Sequence, residues 1–409
     1  MLAARALFYA LVVSLLIALV SGLLISLAYL QRLQQTDQFE QERLYRNVKS
    51  AMAIAQAGLL PSPRQSLDLF GDGGDTVHWA RFDWGVYSIA YAEAVRWTPL
   101  GRDTLQQVAC LGARSSPLMQ SALYLSDQNA PLAVAGNTQI KGKALLPRAG
   151  VRRGYIGGVG YLGSQLVYGD QEKSTSALPP INSQKADQIL PLFSQPGNTP
   201  YLPLLNRSFA DSAAIIQTDA IYLTGIAYRG HIMVIASDSI VVAADATLED
   251  VMLLAPKIIF EPGFEGQLQA FASKAMEVGE GCRFEFPSVL GLLKSEKVND
   301  RPFLNIAPDC QLNGLVWVYQ KYYTKYPVRL SIGERSRIEG QVFADGLVEH
   351  KGVIHGNLTC KSFSLKTSSS VYHNHLFNAV IDRNQLSKHY LSPLLAKEVR
   401  QSGVAKWIK

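Results

Sequence analysis

The chain has 409 residues, is 48% hydrophobic and 9% aromatic, and carries a formal net charge of +6. That length holds two or three domains with ample core, and that composition excludes a disordered chain. Basic residues are scattered with no run of five, which argues against nucleic-acid binding and leaves mild attraction to anionic lipid or polysaccharide.

Residues 1–5 form a short tail. Ala6 to Leu30 is an uncharged run of 25 residues bounded by Arg5 and Arg32. About 20 apolar residues cross the hydrocarbon core, so this run reads as a single transmembrane helix in contact with the bilayer. Tyr9 and Tyr29 fall where aromatic belts sit. A cleaved signal would have a shorter apolar region and an A-x-A-like site, so an anchor is favoured over a cleaved signal. The inner membrane of a bacterium is the expected location. Charge counting favours a cytoplasmic body, whereas a short tail before a large body is common with the body outside. The side stays open, with a lean to the extracytoplasmic one.

Residues 31–60 continue the helix, with Leu44, Val48 and Met52 as an i, i+4 stripe for packing. Pro61-Ser62-Pro63 ends it. Over 64–120, strand-like runs at Thr76 to Phe82, Gly85 to Trp97 and Thr104 to Ala113 predict a small antiparallel meander. A membrane helix, its helical continuation and a meander together resemble the layout of type IV pilin-like proteins. The pilin processing signal, Gly-Phe with Glu at the fifth mature position, is missing.

From 121 to 384 a short phrase recurs: an apolar residue, any residue, then Gly, Asn or Asp. Ile338-Glu339-Gly340 and Ile354-His355-Gly356 are sixteen apart, as are Ile140 and Ile156, and Leu248 and Phe264. Tyr372-His373-Asn374 follows Ile354 by eighteen residues. The third position of each copy, at Gly142, Gly158, Asp250, Gly266, Gly314, Gly340, Gly356 and Asn374, is a residue type that tolerates φ > 0. Repeats this short cannot bury their own apolar face. They predict a mainly β chain dominated by a parallel β-helix, with repeats stacked on one another. A Pro-rich loop at 170–207 and insertions near 293–300 and 319–327 interrupt it. The segment 385–409 lacks the phrase and reads as a helical or irregular cap.

Over Ser331 to Ile381 the chain resembles the bactofilins, a polymer-forming β-helix family. Ile332-Gly333, Ile338-Glu339-Gly340-Gln341-Val342 and Val353-Ile354-His355-Gly356-Asn357-Leu358 carry the resemblance. It implies an enzymatically silent scaffold that polymerises end to end without nucleotide.

No nucleophile elbow, P-loop, HExxH or dinucleotide fingerprint occurs, so no catalytic residue, cofactor or metal is assigned. His373 and His375 share a strand face but lack an evident third ligand. The glycines at 154, 157, 158 and 160 belong to solenoid turns. Asp245, Glu249, Asp250, Glu265, Glu334, Glu339 and Asp345 are the acidic residues a carbohydrate-active solenoid would draw on, and most lie in turn phrases. Cys282 and Cys310 each precede an apolar anchor by two residues. They would share a rung position within disulfide reach, and a buried thiol ladder is the favoured state. Trp317, Tyr319, Tyr322, Tyr323 and Tyr326, with Lys321 and Lys325, form the candidate interaction patch for a protein partner or a cell-wall glycan. The leading expectation is a non-catalytic, membrane-anchored envelope scaffold or adaptor, with self-association through its β-helix open to it. A pilin-like machine component and a carbohydrate-active enzyme are the alternatives.

Overall fold

The computed structural model describes residues 2–58, 65–68, 75–98, 101–114, 116–367, 370–393, 395–396 and 401–408. The helix stop at Pro61–Pro63 lies outside them. The chain is mainly β and divides into two units, residues 1–80 with 91–107, and residues 81–90 with 108–409.

In the first unit, helix α1 (Leu2–Ala57) runs for 56 residues. No Pro or Gly interrupts it between Gln31 and Ala57. Its apolar window is 0% buried, and one helix of this length and composition can cross a membrane. Farther along, Leu44, Asn47, Val48, Ala51, Met52 and Ala55 are buried, the i, i+3, i+4, i+7 spacing of one packed face. Asp75 anchors that face: Asn47 Nδ2 donates to its Oδ2 at 2.9 Å, and Arg43 Nε lies 2.9 Å from the same oxygen. The buried carboxylate is therefore paired from two successive helical turns, as a charge out of water requires.

Strands β1 (Gln65–Leu67), β2 (Asp75–Trp84), β3 (Tyr87–Thr98) and β4 (Gly101–Ala113) form a small antiparallel sheet in chain order. Its fifth strand is Ser402–Ile408, paired antiparallel with β4 from Ala113 to Val108. This corrects the helical or irregular cap expected at the chain end. Val404, Trp407 and Ile408 are strand formers and find an edge to pair with.

The second unit is built on parallel pairing. Strand Ala214–Leu223 pairs with Ile232–Val242, and Thr247–Phe260, Glu265–Val278 and Arg283–Lys294 follow in turn. Gln311–Gln320, Arg337–His350 and Val353–Lys366 extend the series. The sheet closes around a long apolar core. One inward column runs Ile216, Val234, Leu253, Ala270, Leu290, Val316, Val342 and Leu358, each buried and in register with the next. Strand spacing of about 4.8 Å puts these side chains in direct contact along the column.

Seven of the eight turn-phrase residues, all but Gly266, have positive φ: Gly142, Gly158, Asp250, Gly314, Gly340, Gly356 and Asn374. Three of them stack. A Cβ on Gly356 would lie 1.8 Å from the Gly340 carbonyl oxygen, one on Gly340 2.0 Å from that of Gly314, and one on Gly314 2.0 Å from that of Ser288. Glycine is required there both by φ and by the approach of the neighbouring backbone. Gly266 has no left-handed φ; a Cβ there would meet the Phe264 ring at 2.6 Å, so its constraint is packing.

The ladder does not follow chain order. After Val353–Lys366 the next rung is Leu123–Leu125, and Val380–Asp382 pairs with Gln139–Lys141. Gln171–Lys173 then stacks on Ala144–Leu146. The early copies of the phrase thus extend the late end of the ladder. Residues 170–207 carry the chain back to the opposite end, where Leu204–Arg207 pairs with Ala227–Gly230. This connection holds a helix, Ser183–Ile189, N-capped by Asn182, and a 3-10 turn, Leu190–Ser194. Ala186 and Ile189 bury themselves in a second apolar cluster with Met233, Leu254 and Trp317.

Two polar clamps hold the β2–β3 turn and the last strand. Gln269 Nε2 donates to the Trp84 carbonyl at 2.8 Å, and its Oε1 accepts from Val86 N at 3.0 Å. Lys406 Nζ reaches Glu249 Oε1 at 3.1 Å, Asp250 Oδ2 at 2.8 Å and Gln267 Oε1 at 2.8 Å. Burial pushes the Asp250 carboxyl up and the Lys406 ammonium pulls it back down, with burial the larger effect.

Gly356→Ala is expected to cost about 3 kcal/mol or more in urea unfolding, through strain and backbone collision. Gly160→Ala, where the nearest atom to a new Cβ is 3.9 Å away and φ is unconstrained, should stay within about 0.5 kcal/mol. His350 gives a pH signature. It is fully buried, its Nε2 lies 3.1 Å from the Val380 carbonyl, and burial lowers its pKa to about 4. A folded pKa below the unfolded value of about 6.5 means that the unfolded chain takes up the proton first. The stabilising contribution is whole above pH 6.5 and is lost as pH falls toward 4, about 3 kcal/mol in all. Unfolding measured across that window should show this loss in the wild type and not in His350→Leu.

Candidate functional site

The two insertions of the ladder are tied to each other. Lys294, 2% exposed, donates from Nζ to Asp300 Oδ1 at 2.7 Å and to Thr324 Oγ1 at 2.9 Å. A buried ammonium is costly without such partners. Lys321 reaches Asp187 Oδ1 at 2.9 Å, tethering the second insertion to the return connection.

The aromatic cluster on these insertions departs from its expected form. Trp317 is 0% exposed and belongs to the buried cluster beside Leu315 and Phe343, so it is removed from the candidate patch. Strand alternation points it at the packed face, and its register partner is Phe343. Tyr319 is half-buried, its ring 5.8 Å from that of Trp317. Tyr322 and Tyr323 are 38% and 65% exposed, but cations of the same chain cover their rings. Lys297 stands 4.8 Å over Tyr322 and Lys361 3.8 Å over Tyr323. Tyr326 lies under Arg301 at 4.5 Å. Tyr323 donates to Asp345 Oδ2 at 2.9 Å, and burial together with that carboxylate pushes its phenol up to about 12. These contacts use the ring faces to brace the insertion.

Next to the brace lies a cleft of about 350 Å³. Its floor is made of outward positions on paired strands. Phe303, Arg329 and Leu347 form one row; Asn305, Ser331 and Glu349 form the next. Between them Leu304, Leu330 and Val348 point into the core, the period-2 pattern of a half-buried face. Arg301 and Lys366 rim the cleft. Phe303 is 37% exposed, an apolar surface among polar groups. Glu349 is the one carboxylate among the lining residues and pairs with Lys351 Nζ at 3.0 Å. The site is net positive and mixes a ring, amide, hydroxyl and guanidinium groups. That chemistry suits a polar, anionic chain such as an acidic glycan. Hydrolysis of a glycosidic bond ordinarily uses two carboxyl groups; among the described lining residues Glu349 is the one carboxylate.

The other acidic candidates are dispersed. Asp245 accepts from Thr224 Oγ1 and Gly225 N, Glu249 and Asp250 hold Lys406, and Glu265 pairs with Arg283 at 3.1 Å. Glu339 lies 3.9 Å from both Arg337 and His355, and Asp345 binds Tyr323. Glu334 lines a separate cavity with Arg335 and Lys351. Among the described residues no three His, Cys, Asp or Glu side chains converge. His375 Nδ1 lies 2.7 Å from the His373 carbonyl, a contact within its own strand turn. Cys282 and Cys310 are free and buried, one residue before the register pair Arg283 and Gln311. The thiols of Cys282 and Cys310 donate to the carbonyls of Glu261 and Gly279 at 3.2 and 3.1 Å.

Sequence reasoning does not find the cleft, because its residues come from separate strands and meet only by register. The signal is present as alternation in Phe303-Leu304-Asn305 and Arg329-Leu330-Ser331, but alternation alone does not say which outward faces adjoin. No family model matches the chain, and neither a curated protein nor a solved structure matches it.

Binding of an acidic oligosaccharide at this cleft should weaken about tenfold in Arg329→Gln with Lys366→Gln, each lost charge contributing about 0.5–1 kcal/mol. Titration calorimetry checks this, with an unchanged melting temperature as the control. Equal affinity in the double variant would remove the cleft from consideration.

Proposed function

We propose that the protein is a non-catalytic, membrane-anchored scaffold or adaptor of the bacterial cell envelope. In this reading residues 6–30 of α1 span the inner membrane once, and the parallel strands wind as a β-solenoid of the bactofilin kind. The observation that carries it is the column from Ile216 to Leu358: the same inward position is repeated rung after rung in parallel register. Such a stack is extended by adding rungs, so its ends are the natural place for self-association or partner capture. Leu204 at the first rung is 72% exposed, and Gln171–Lys173 at the last is exposed throughout. The reading takes the β-rich part to lie on the extracytoplasmic side.

A pilin-like role in a secretion or pilus machine is the second reading. It is favoured by the buried face of α1 from Leu44 to Ala55 and by the Asn47 and Arg43 contacts to Asp75 on the antiparallel sheet.

Two measurements test the scaffold reading. All four native cysteines are buried, so Leu204→Cys adds one accessible thiol. A membrane-impermeant maleimide should label it on intact cells; labelling only after lysis would put Leu204 inside. Purified full-length protein in detergent should form larger assemblies as concentration rises, and Leu204→Arg should lower their size. Sedimentation at a constant monomer mass across the range would refute self-association.

A further inference from the structure

Trp97 is 69% exposed, the largest side chain that the described part of the first unit leaves to solvent. It stands near the end of β3, where the hairpin to β4 approaches α1. A groove of about 660 Å³ there is lined by Tyr29, Arg32 and Leu33 of the helix and by Arg96 and Trp97 of the hairpin. Its helix side begins where the apolar run ends, at Leu30. Tyr29, Leu30 and Leu33 are themselves 66%, 54% and 55% exposed.

The height of the hairpin along the helix is set by ion pairs. Arg96 Nη1 lies 3.2 Å from Glu40 Oε2 on α1, and its Nη2 lies 2.5 Å from Asp103 Oδ2 on β4. Hydrogen bonds to two carboxylates hold Arg96 firmly, so Trp97 beside it cannot slide along the helix. Twenty-five uncharged, mostly apolar residues at 1.5 Å each span about 37 Å, more than the roughly 30 Å of hydrocarbon, so in this reading the last turns of the run reach the headgroup layer. Trp97 lines the same groove as Tyr29, Arg32 and Leu33, which flank the end of the run. A large amphipathic ring, a second aromatic ring at Tyr29 and a guanidinium at Arg32 are the residue types that populate a membrane–water interface.

We infer that Trp97 is a second membrane contact: its ring lies in the phospholipid interface beside the exit of α1 and fixes the height of the hairpin above the bilayer. This rests on the reading that residues 6–30 span the membrane. The occupant of the groove is the lipid headgroup layer, because the groove is continuous with the helix end that enters it. A single spanning helix would leave the hairpin free to pivot with α1; a second contact restrains that pivot.

The test uses the full chain reconstituted into vesicles containing phospholipid brominated high on its acyl chains. Bromine quenches a tryptophan in the interface. The protein has five tryptophans, so wild type is compared with Trp97→Phe, which keeps a ring and isolates Trp97 by difference. Flotation of the same vesicles reports whether the chain is inserted. Inserted wild type should be quenched, and Trp97→Phe should lose most of that quenching. Insertion with equal quenching in both proteins would overturn the interfacial contact and leave the spanning helix standing. Failure of the wild type to float would overturn both.

Discussion

The stacked bends at Ser288, Gly314, Gly340 and Gly356 bring backbone against backbone. At each step the carbonyl of the preceding rung occupies the space where the next residue's side chain would begin. This close stacking keeps the rungs in register through the bend, and register keeps the apolar column from Ile216 to Leu358 continuous. A slip of one residue would turn every inward side chain outward. The core, the outward rows of the cleft and the placement of the insertions all follow from that register.

The ladder also needs a route that joins its two ends within one chain. The early phrase copies stack beyond Val353–Lys366, so residues 170–207 must travel back to the first rung. Six prolines from Pro179 to Pro203 suit a segment that forms no continuous strand between Lys173 and Leu204. Its short helix buries Ala186 and Ile189 in the apolar cluster that holds Met233 and Leu254. The connection is thus part of the packing. The turn clamp at Gln269 and the Lys406 cluster secure the same unit with partnered polar groups.

The surfaces proposed for binding lie where the repeat is interrupted or absent. The insertion tyrosines use their ring faces on Lys297, Lys361 and Arg301, and the neighbouring cleft presents polar groups with a net positive charge. Toward the start of the chain, α1 has an exposed apolar stretch long enough to cross a membrane and, after it, a face packed against protein. A scaffold held near a membrane would use both.

Much of this is legible in the amino-acid order. The charge-free run from Ala6 to Leu30, the buried stripe at Leu44, Val48 and Met52, and the strands around Trp84-Gly85 follow from local periodicity, which needs no partner to be read. Seven of the eight phrase residues mark where φ turns positive, because only backbone tolerance is involved; Gly266 is set by packing instead. Trp317 is misread as a surface residue because a strand's two faces are equivalent until a partner such as Phe343 covers one. The cleft, the placement of the early strands beyond the late ones and the pairing of Ser402–Ile408 with β4 depend on contacts between residues far apart in the chain. Helix, short strands and bends could therefore be read from the amino-acid order, since each is a local backbone preference. Which strands became neighbours emerged with the folded chain, since hydrogen-bonded register leaves no mark in either strand alone.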